Sequence, residues 1–209
     1  SFHANNAPSV LYITGDGTSI VNCSFDDNTI TNKGVIYCAD VVDTTISTSI
    51  FTGNSKYYFN LKNSTVSISD SVILKDNSNI FKLDDNRNVI TANDNWWGNN
   101  TAPAISGVTI DRWVIMSVAP ESATVGDEVT LIASFDKTNS TAGVVADYAG
   151  SLPDAINVTF TSTSGGLNEV KAVKDHQASV TYTPARTDEK LTVTSTDAIV
   201  EIPCSSRPR

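Results

Sequence analysis

The sequence predicts an all-β chain in which a short right-handed parallel β-helix is followed by an immunoglobulin-like β-sandwich. Three observations predict this fold. A large apolar residue, two variable positions and an asparagine recur four times in the first hundred residues, isoleucines recur in the same phase, and longer alternating strands replace this rhythm after residue 111. A period of roughly 20–50 residues is typical of stacked repeats.

The apolar-x-x-Asn copies are Phe25–Asn28, Phe51–Asn54, Leu74–Asn77 and Trp97–Asn100. Their asparagines lie 26, 23 and 23 residues apart, and the isoleucines Ile46, Ile68 and Ile90 lie 22 apart, with Ile20 as an earlier copy. Short period-2 runs separated by Asn, Asp, Gly and Ser clusters indicate two or three strands in each coil.

Like residues should therefore stack in columns, because a single coil cannot bury its own apolar side chains. One column is expected to contain Phe25, Phe51, Leu74 and Trp97, and a second the four isoleucines. The asparagines should lie at the bends, where Asn tolerates the left-handed conformation and bonds the next coil. An antiparallel sandwich is the alternative for this region, but a sandwich gives no reason for one fixed period.

The predicted domains are a β-helix over 1–111, a sandwich over 112–203 and a tail over 204–209. Residues 101–111 contain Pro and Gly without a repeat marker and are expected to be a connector. About seven alternating runs follow between Trp113 and Ile202, as in an immunoglobulin-like sandwich. No cysteine lies within 112–203, so the sandwich is expected to lack an inter-sheet disulfide.

Composition argues against several classes of function. The net charge of −9 argues against a nucleic-acid partner or an anionic lipid surface. The longest apolar runs are too short to span a bilayer, so no membrane insertion is expected. The three cysteines, Cys23, Cys38 and Cys204, form neither a disulfide framework nor a zinc motif, although a Cys23–Cys38 bond stays open. Because the chain starts at Ser1 without a signal-like segment, we interpret it as a fragment of a longer protein.

Two stretches carry a family resemblance. The segment NDNWWGNNTAP, from Asn93 to Pro103, resembles the end of the β-helix in adhesin-like surface proteins of methanogenic archaea. Pro120, Gly126 and the run from Leu152 to Thr161 resemble bacterial immunoglobulin-like domains of the invasin and intimin type, with Ala155 and Asn157 replacing the usual Gly and Pro. The resemblance implies a secreted protein displayed on the cell surface, whose anchor lies outside this sequence.

Parallel β-helices also carry polysaccharide lyases and hydrolases, so catalytic and metal-binding groups are possible here. The nearest constellation, Lys82, Asp84, Asp85 and Arg87, falls on a turn and is expected to be a solvated bend. Acidic turns at Asp26-Asp27-Asn28, and at Asp40 with Asp43, do not match a calcium loop. The histidines His3 and His176 are far apart in sequence. We therefore predict no catalytic residue, metal or cofactor.

Aromatic residues are the candidates for ligand binding. Trp97 is in phase with the internal column and should close the end of the β-helix. Trp96 should point the opposite way, where it either packs under the second domain or offers a sugar-stacking platform, and Tyr57 and Tyr58 are weaker candidates. Five N-x-[S/T] sequons mark candidate glycosylation sites: Asn22, Asn63, Asn99, Asn139 and Asn157.

The function expected from these observations is that of a non-enzymatic, extracellular adhesin fragment. Its β-helix would be presented by an immunoglobulin-like spacer to a glycan or protein on a host or partner cell. Two alternatives stay open: a carbohydrate-active β-helix enzyme with an accessory domain, and a purely structural stalk.

Overall fold

A computed structural model of the protein describes residues 1–74, 80–101 and 103–207. Over these residues the chain is all-β, without a helix. The first half forms a β-solenoid of stacked coils in which strands of successive coils pair in parallel. Its strands are β1 Phe2–His3, β2 Asn6–Ala7, β3 Leu11–Ile13, β4 Ser19–Val21, β5 Ser24–Asp26, β6 Thr29–Ile30, β7 Ile36–Ala39, β8 Thr44–Ser47, β9 Ile50–Thr52, β10 Phe59–Lys62, β11 Thr65–Ser69, β12 Val72–Ile73, β13 Phe81–Leu83 and β14 Val89–Thr91.

Each coil contributes one strand to each of three parallel sheets. Sheet 1 has the order β1-β5-β9-β12, sheet 2 the order β3-β7-β10-β13, and sheet 3 the order β4-β8-β11-β14. A smaller pair, β2 with β6, lies beside them. Among the described residues, each main sheet thus has four strands. This confirms the repeated coil predicted from the sequence.

The phenylalanine column is confirmed in part. Phe2, Phe25 and Phe51 are register partners in sheet 1, and their rings stack at centroid distances of 4.8 and 4.9 Å. That distance equals the spacing of paired strands, so the backbone ladder itself sets the ring stacking. The next member is Ile73, which pairs with Phe51, and not Leu74 as predicted.

The isoleucine column needs a similar correction. Ile20, Ile46 and Ile68 are register partners in sheet 3, but Ile90 pairs with Val66. The partners Val66 and Ile90 lie 24 residues apart, two more than the predicted interval of 22. Backbone hydrogen bonds set the register, and the bends accommodate the extra residues.

A buried asparagine ladder follows the strands of sheet 1. The Asn28 side-chain oxygen accepts hydrogen bonds from the Asn5 backbone and amide at 3.0 and 2.8 Å. Its amide donates to the Asn54 side-chain oxygen at 2.8 Å and to the Phe2 carbonyl at 2.9 Å. This confirms the predicted bonds between coils, while Asn77 lies outside the described residues.

The left-handed residue at each bend precedes the ladder residue instead of being the ladder residue. Asp27, at φ 54°, comes directly before Asn28, and Asp70, at φ 52°, comes directly before Ser71. The bend therefore divides two tasks between neighbours: one residue takes the strained backbone, and the next turns its polar side chain inward.

A second ladder, which the sequence analysis missed, follows sheet 3. The Cys23 backbone donates to the Ser49 hydroxyl at 3.2 Å, the Ser49 backbone to the Ser71 hydroxyl at 3.1 Å, and the Ser71 backbone to the Asn95 side chain at 3.0 Å. These bonds satisfy backbone groups that the bends would otherwise leave buried and unpaired.

Residues 103–114 add a further partial coil, which corrects the expectation of a plain connector at 101–111. Thr109 forms a parallel bridge with Thr91, and the Asp94 backbone donates to the Arg112 carbonyl at 2.9 Å. Ile105, Val108 and Ile110 pack against the solenoid core.

The second half, from Arg112, contains all seven strands that the alternating runs predicted, and two short ones. They are β15 Arg112–Ala119, β16 Ala123–Thr124, β17 Val129–Ser140, β18 Ala146–Asp147, β19 Asn157–Ser162, β20 Asn168–Ala172, β21 Gln177–Tyr182, β22 Lys190–Ser195 and β23 Ala198–Ser205. One sheet has the order β15-β17-β18, with β21 also paired to β17, and the other has the order β16-β23-β22-β19-β20. All pairs are antiparallel except β16 with β23.

The predicted tail at 204–209 begins too early. Cys204 is buried in β23 and is the register partner of Ala123. The three cysteines are free thiols, and Cys38 is packed in sheet 2 between Ile13 and Leu61.

Two apolar clusters meet at the start of the second half. The solenoid cluster includes Trp97 and Trp113, whereas the second cluster includes Trp96 and Val114. Each pair of neighbours points to opposite sides of its strand. The same two short segments therefore close the solenoid and join the core of the second half.

Candidate functional site

Trp96 is not a binding platform. It is fully buried and its ring meets Phe135 edge to face, at a centroid distance of 4.9 Å and an interplanar angle of 82°. Of the two positions open from sequence, the structure places it under the second half. Trp97 lies in the solenoid cluster, as expected of a closing residue.

The two tyrosines predicted beside Trp96 have different environments. Tyr58 is fully buried, and its hydroxyl donates to the Leu74 carbonyl at 2.5 Å, so its ring faces no ligand. Tyr57 is half-buried. Tyr57 is thus the only one of the three predicted contact residues that keeps an accessible surface.

An aromatic site that the sequence analysis missed lies on the outer side of sheet 2. Tyr12, Tyr37, Asn60 and Lys82 are register partners in successive coils, and we call this column, with Tyr57, the tyrosine face. Tyr12 and Tyr37 have ring centroids 4.8 Å apart. Tyr12 is 63% exposed whereas Tyr37 is buried, so Tyr12 is the accessible ring of this pair, and the two ring planes are inclined at 58°.

Lys33 contacts the buried Tyr37 ring of the tyrosine face. The Lys33 ammonium lies 4.6 Å from the Tyr37 ring centroid, which is within the range of a cation–π contact. At the other end, Lys82 pairs with Asp84 at 2.8 Å. The hydrogen bond to Asp84 is the main reason that the pKa of Lys82 is raised, and Tyr57 and Tyr37 act in the same direction.

The constellation considered for catalysis separates into two local ion pairs. One is Lys82 with Asp84, and the other is Arg87 with Asp85 at 2.6 Å. The pKa of Asp85 falls to about 2, chiefly because of its hydrogen bonds with Arg87. Each carboxylate is thus paired with a neighbour two residues away on the same turn.

The acidic turn at Asp26 and Asp27 is joined by His3. Ligand atoms of these three residues lie within 4.8 Å of one another, and the His3 ring nitrogen contacts the Asp26 carboxylate. Asn28, the third residue of the predicted turn, is a member of the buried asparagine ladder and donates to Asn54. Asp40 and Asp43 both take the left-handed conformation at bends.

The five sequon asparagines differ in exposure. Asn22 and Asn157 are exposed, and the other three are half-buried. Asn63 already donates to Asp40 at 2.9 Å, whereas the Asn99 side chain accepts from the Thr101 backbone and hydroxyl at 3.3 and 3.2 Å.

A cleft of about 310 Å³ in the second half lies beside Glu189. This buried carboxylate accepts hydrogen bonds from Ser164 and Tyr182 at 2.7 Å each and from the Ala185 backbone at 3.0 Å. Burial opposes ionisation, but these donors outweigh it and lower the pKa of Glu189. The network links the turn at Ser164 to the segment 182–189.

No family model, curated protein or solved structure matches the chain. Within the described ranges, no helix has the length and apolarity needed to cross a bilayer.

Proposed function

We propose that the chain is a non-enzymatic fragment of a cell-surface adhesin. In this proposal the β-solenoid is a right-handed β-helix that binds a surface glycan, and the second half is an immunoglobulin-like spacer. The protein would be extracellular, and its partner would be a glycan or protein on a host or partner cell.

The observation that carries the proposal is the tyrosine face. The exposed Tyr12 ring, which contacts the buried Tyr37 ring of the next coil, offers an apolar surface against which a sugar ring packs, while its hydroxyl can bond the sugar edge. The solenoid interior is filled by stacked side chains, so ligands must meet the outer faces. The local pairing of Lys82 and Arg87 with their carboxylates also favours binding over acid–base chemistry.

Binding to a glycan array and to whole cells tests the proposal. We expect at least one neutral glycan to bind, and Tyr12→Ala to weaken binding roughly two- to tenfold, the value of one aromatic contact. Tyr12→Phe should keep most of the affinity. Val21→Ala, an exposed apolar position on sheet 3, is the control and should change nothing.

Three other results contradict the proposal. Failure of the wild-type chain to bind in both assays favours the structural stalk. Shortened products after incubation with polysaccharides favour the enzyme. Equal losses for Tyr12→Ala and Val21→Ala would place the binding surface elsewhere.

A further inference from the structure

A second cleft, of about 230 Å³, lies where the two halves meet. The solenoid contributes Asp70 and Asp94, which occupy bends of successive coils and take the left-handed conformation at φ 52° and 61°. Arg112, the first residue of β15, adds a guanidinium, and Asp147 and Tyr148 of the second half complete the set. We call this set the junction cleft.

The walls of the junction cleft are held by direct bonds between the halves. The Tyr148 hydroxyl donates to the Asp70 Oδ1 at 2.8 Å. Gly150 lets the loop close in this way, because a Cβ at this position would lie 2.1 Å from the same oxygen and 2.5 Å from the Tyr148 ring. Both contacts are shorter than real Cβ atoms allow, so any larger residue would displace one wall.

The polar groups of the junction cleft are only partly used. Arg112 donates through Nε and Nη2 to Asp94, at 2.5 Å each, and its Nη1 has no partner in the parts of the chain that the structure describes. The second carboxylate oxygen of Asp70, Oδ2, also has no partner among the described residues, since Tyr148 donates to Oδ1. Arg112 and Asp70 both line the junction cleft, and each has one terminal polar atom outside the bonds given above.

This donor and acceptor set selects the chemistry of the ligand. A hydroxyl group both accepts and donates, so neighbouring hydroxyls satisfy Arg112 and Asp70 together. Three carboxylates, Asp70, Asp94 and Asp147, face two cations, Arg112 and the Lys137 that pairs with Asp147. The excess negative charge disfavours phosphates and acidic sugars. The volume is below that of pockets for drug-sized ligands and suits one sugar ring.

We propose that the junction cleft binds a single neutral sugar residue through neighbouring hydroxyls, independently of the tyrosine face. Arg112 donates to one hydroxyl oxygen, Asp70 accepts from the next hydroxyl, and the Tyr148 ring forms the apolar wall. Because both halves supply the site, a bound sugar also favours their observed arrangement.

Titration with methyl glycosides of glucose, galactose, mannose and N-acetylglucosamine, followed by amide NMR shifts, tests this proposal. We expect at least one to shift the amides of Ala149 and Gly150, and methyl glucuronide to leave them unchanged. Arg112→Gln should weaken binding at least tenfold, as expected for a hydrogen bond to a charged group. Arg186→Gln is the matched control, because Arg186 forms a comparable ion pair with Asp188 away from the cleft.

A second variant separates binding from folding. Ala149→Trp fills the cleft from an exposed position without removing a bond between the halves, and should abolish the shifts while the melting temperature stays close to wild type. No shift with any neutral glycoside, or equal shifts with the glucuronide, overturns the assignment. Since Tyr12→Ala leaves the cleft intact, shifts that persist in this variant distinguish the cleft from the proposed adhesin surface.

Discussion

Replacing Asn28 with aspartate tests the buried asparagine ladder directly. The change keeps the shape of the side chain but removes its two donors. The Phe2 carbonyl and the Asn54 side-chain oxygen would then face another acceptor in place of the amide, which now donates to them at 2.9 and 2.8 Å. The Asn54 oxygen keeps the Asn28 backbone N–H as a donor at 3.0 Å, so its lost bond costs about 0.5–1.5 kcal/mol. Replacing the donor to the Phe2 carbonyl with an acceptor costs about 1–3 kcal/mol. Asn28→Asp should therefore lower the free energy of unfolding by about 1.5–4.5 kcal/mol at pH 7.

The loss should depend on pH in a defined direction. Burial and two facing acceptors raise the pKa of the new carboxyl in the folded state above its unfolded value of about 3.9. A raised folded pKa means that the stability of the variant is greatest below the unfolded pKa and falls as pH rises through the folded pKa. The deficit relative to wild type should therefore be smaller at pH 3 than at pH 7.

Urea unfolding followed by tryptophan fluorescence measures this deficit at both pH values. Asn5→Asp is the matched control, because Asn5 occupies the exposed end of the same ladder and loses one donated bond. It should cost only about 0.5–1.5 kcal/mol. If both variants lose the same stability, or if the Asn28→Asp deficit shrinks with rising pH, the ladder does not contribute as argued.

Three further outcomes follow from burial and hydrogen bonding. Trp96→Ala should lower the free energy of unfolding by about 3–5 kcal/mol, because it empties a fully buried site; a loss below about 1 kcal/mol in urea unfolding would contradict the packing. Burial raises the pKa of Cys38 to about 12, so mass spectrometry after iodoacetamide treatment at pH 8 should show Cys23 modified well before Cys38, and equal rates would contradict this. Glu189→Gln should cost about 1.5–3 kcal/mol at pH 7, against almost nothing for the exposed Glu169→Gln. Because the pKa of Glu189 is lowered in the folded state, the difference in melting temperature between wild type and Glu189→Gln should decline as pH falls through that pKa. A difference that stays constant with pH would exclude the carboxylate as its cause.

The repeat and its ladder could be predicted from sequence because they depend on residue type at a regular interval. The exact register could not. A fixed count paired Leu74 with Phe51 and Ile90 with Ile68. In the structure Ile73 pairs with Phe51, and Ile90 pairs with Val66, since coils differ in length at their bends. The ladder through Cys23, Ser49, Ser71 and Asn95 was also missed, because its accepting side chains are of two types, the serine hydroxyls at 49 and 71 and the asparagine amide at 95.

The candidate sites were harder to predict for two different reasons. Tyr12 and Tyr37 occupy equivalent positions in two alternating runs one coil apart, so their pairing was detectable once the period was known. The junction cleft had no such signal. Its central contact joins Asp70 to Tyr148, 78 positions apart, and only the folding of the second half onto the solenoid brings these residues together.

The Trp96-Trp97 pair joins the two halves of the fold. Because neighbouring residues on an extended chain face opposite ways, Trp97 enters the solenoid core and Trp96 the core of the second half. Trp113 and Val114 repeat this division on β15. Two apolar cores joined through consecutive residues resist bending more than two domains on a flexible linker, as the Asp70–Tyr148 bond also indicates. If the tyrosine face binds a glycan, its direction is therefore set by the second half, and variants that loosen the junction should change avidity on cells more than affinity for a free glycan.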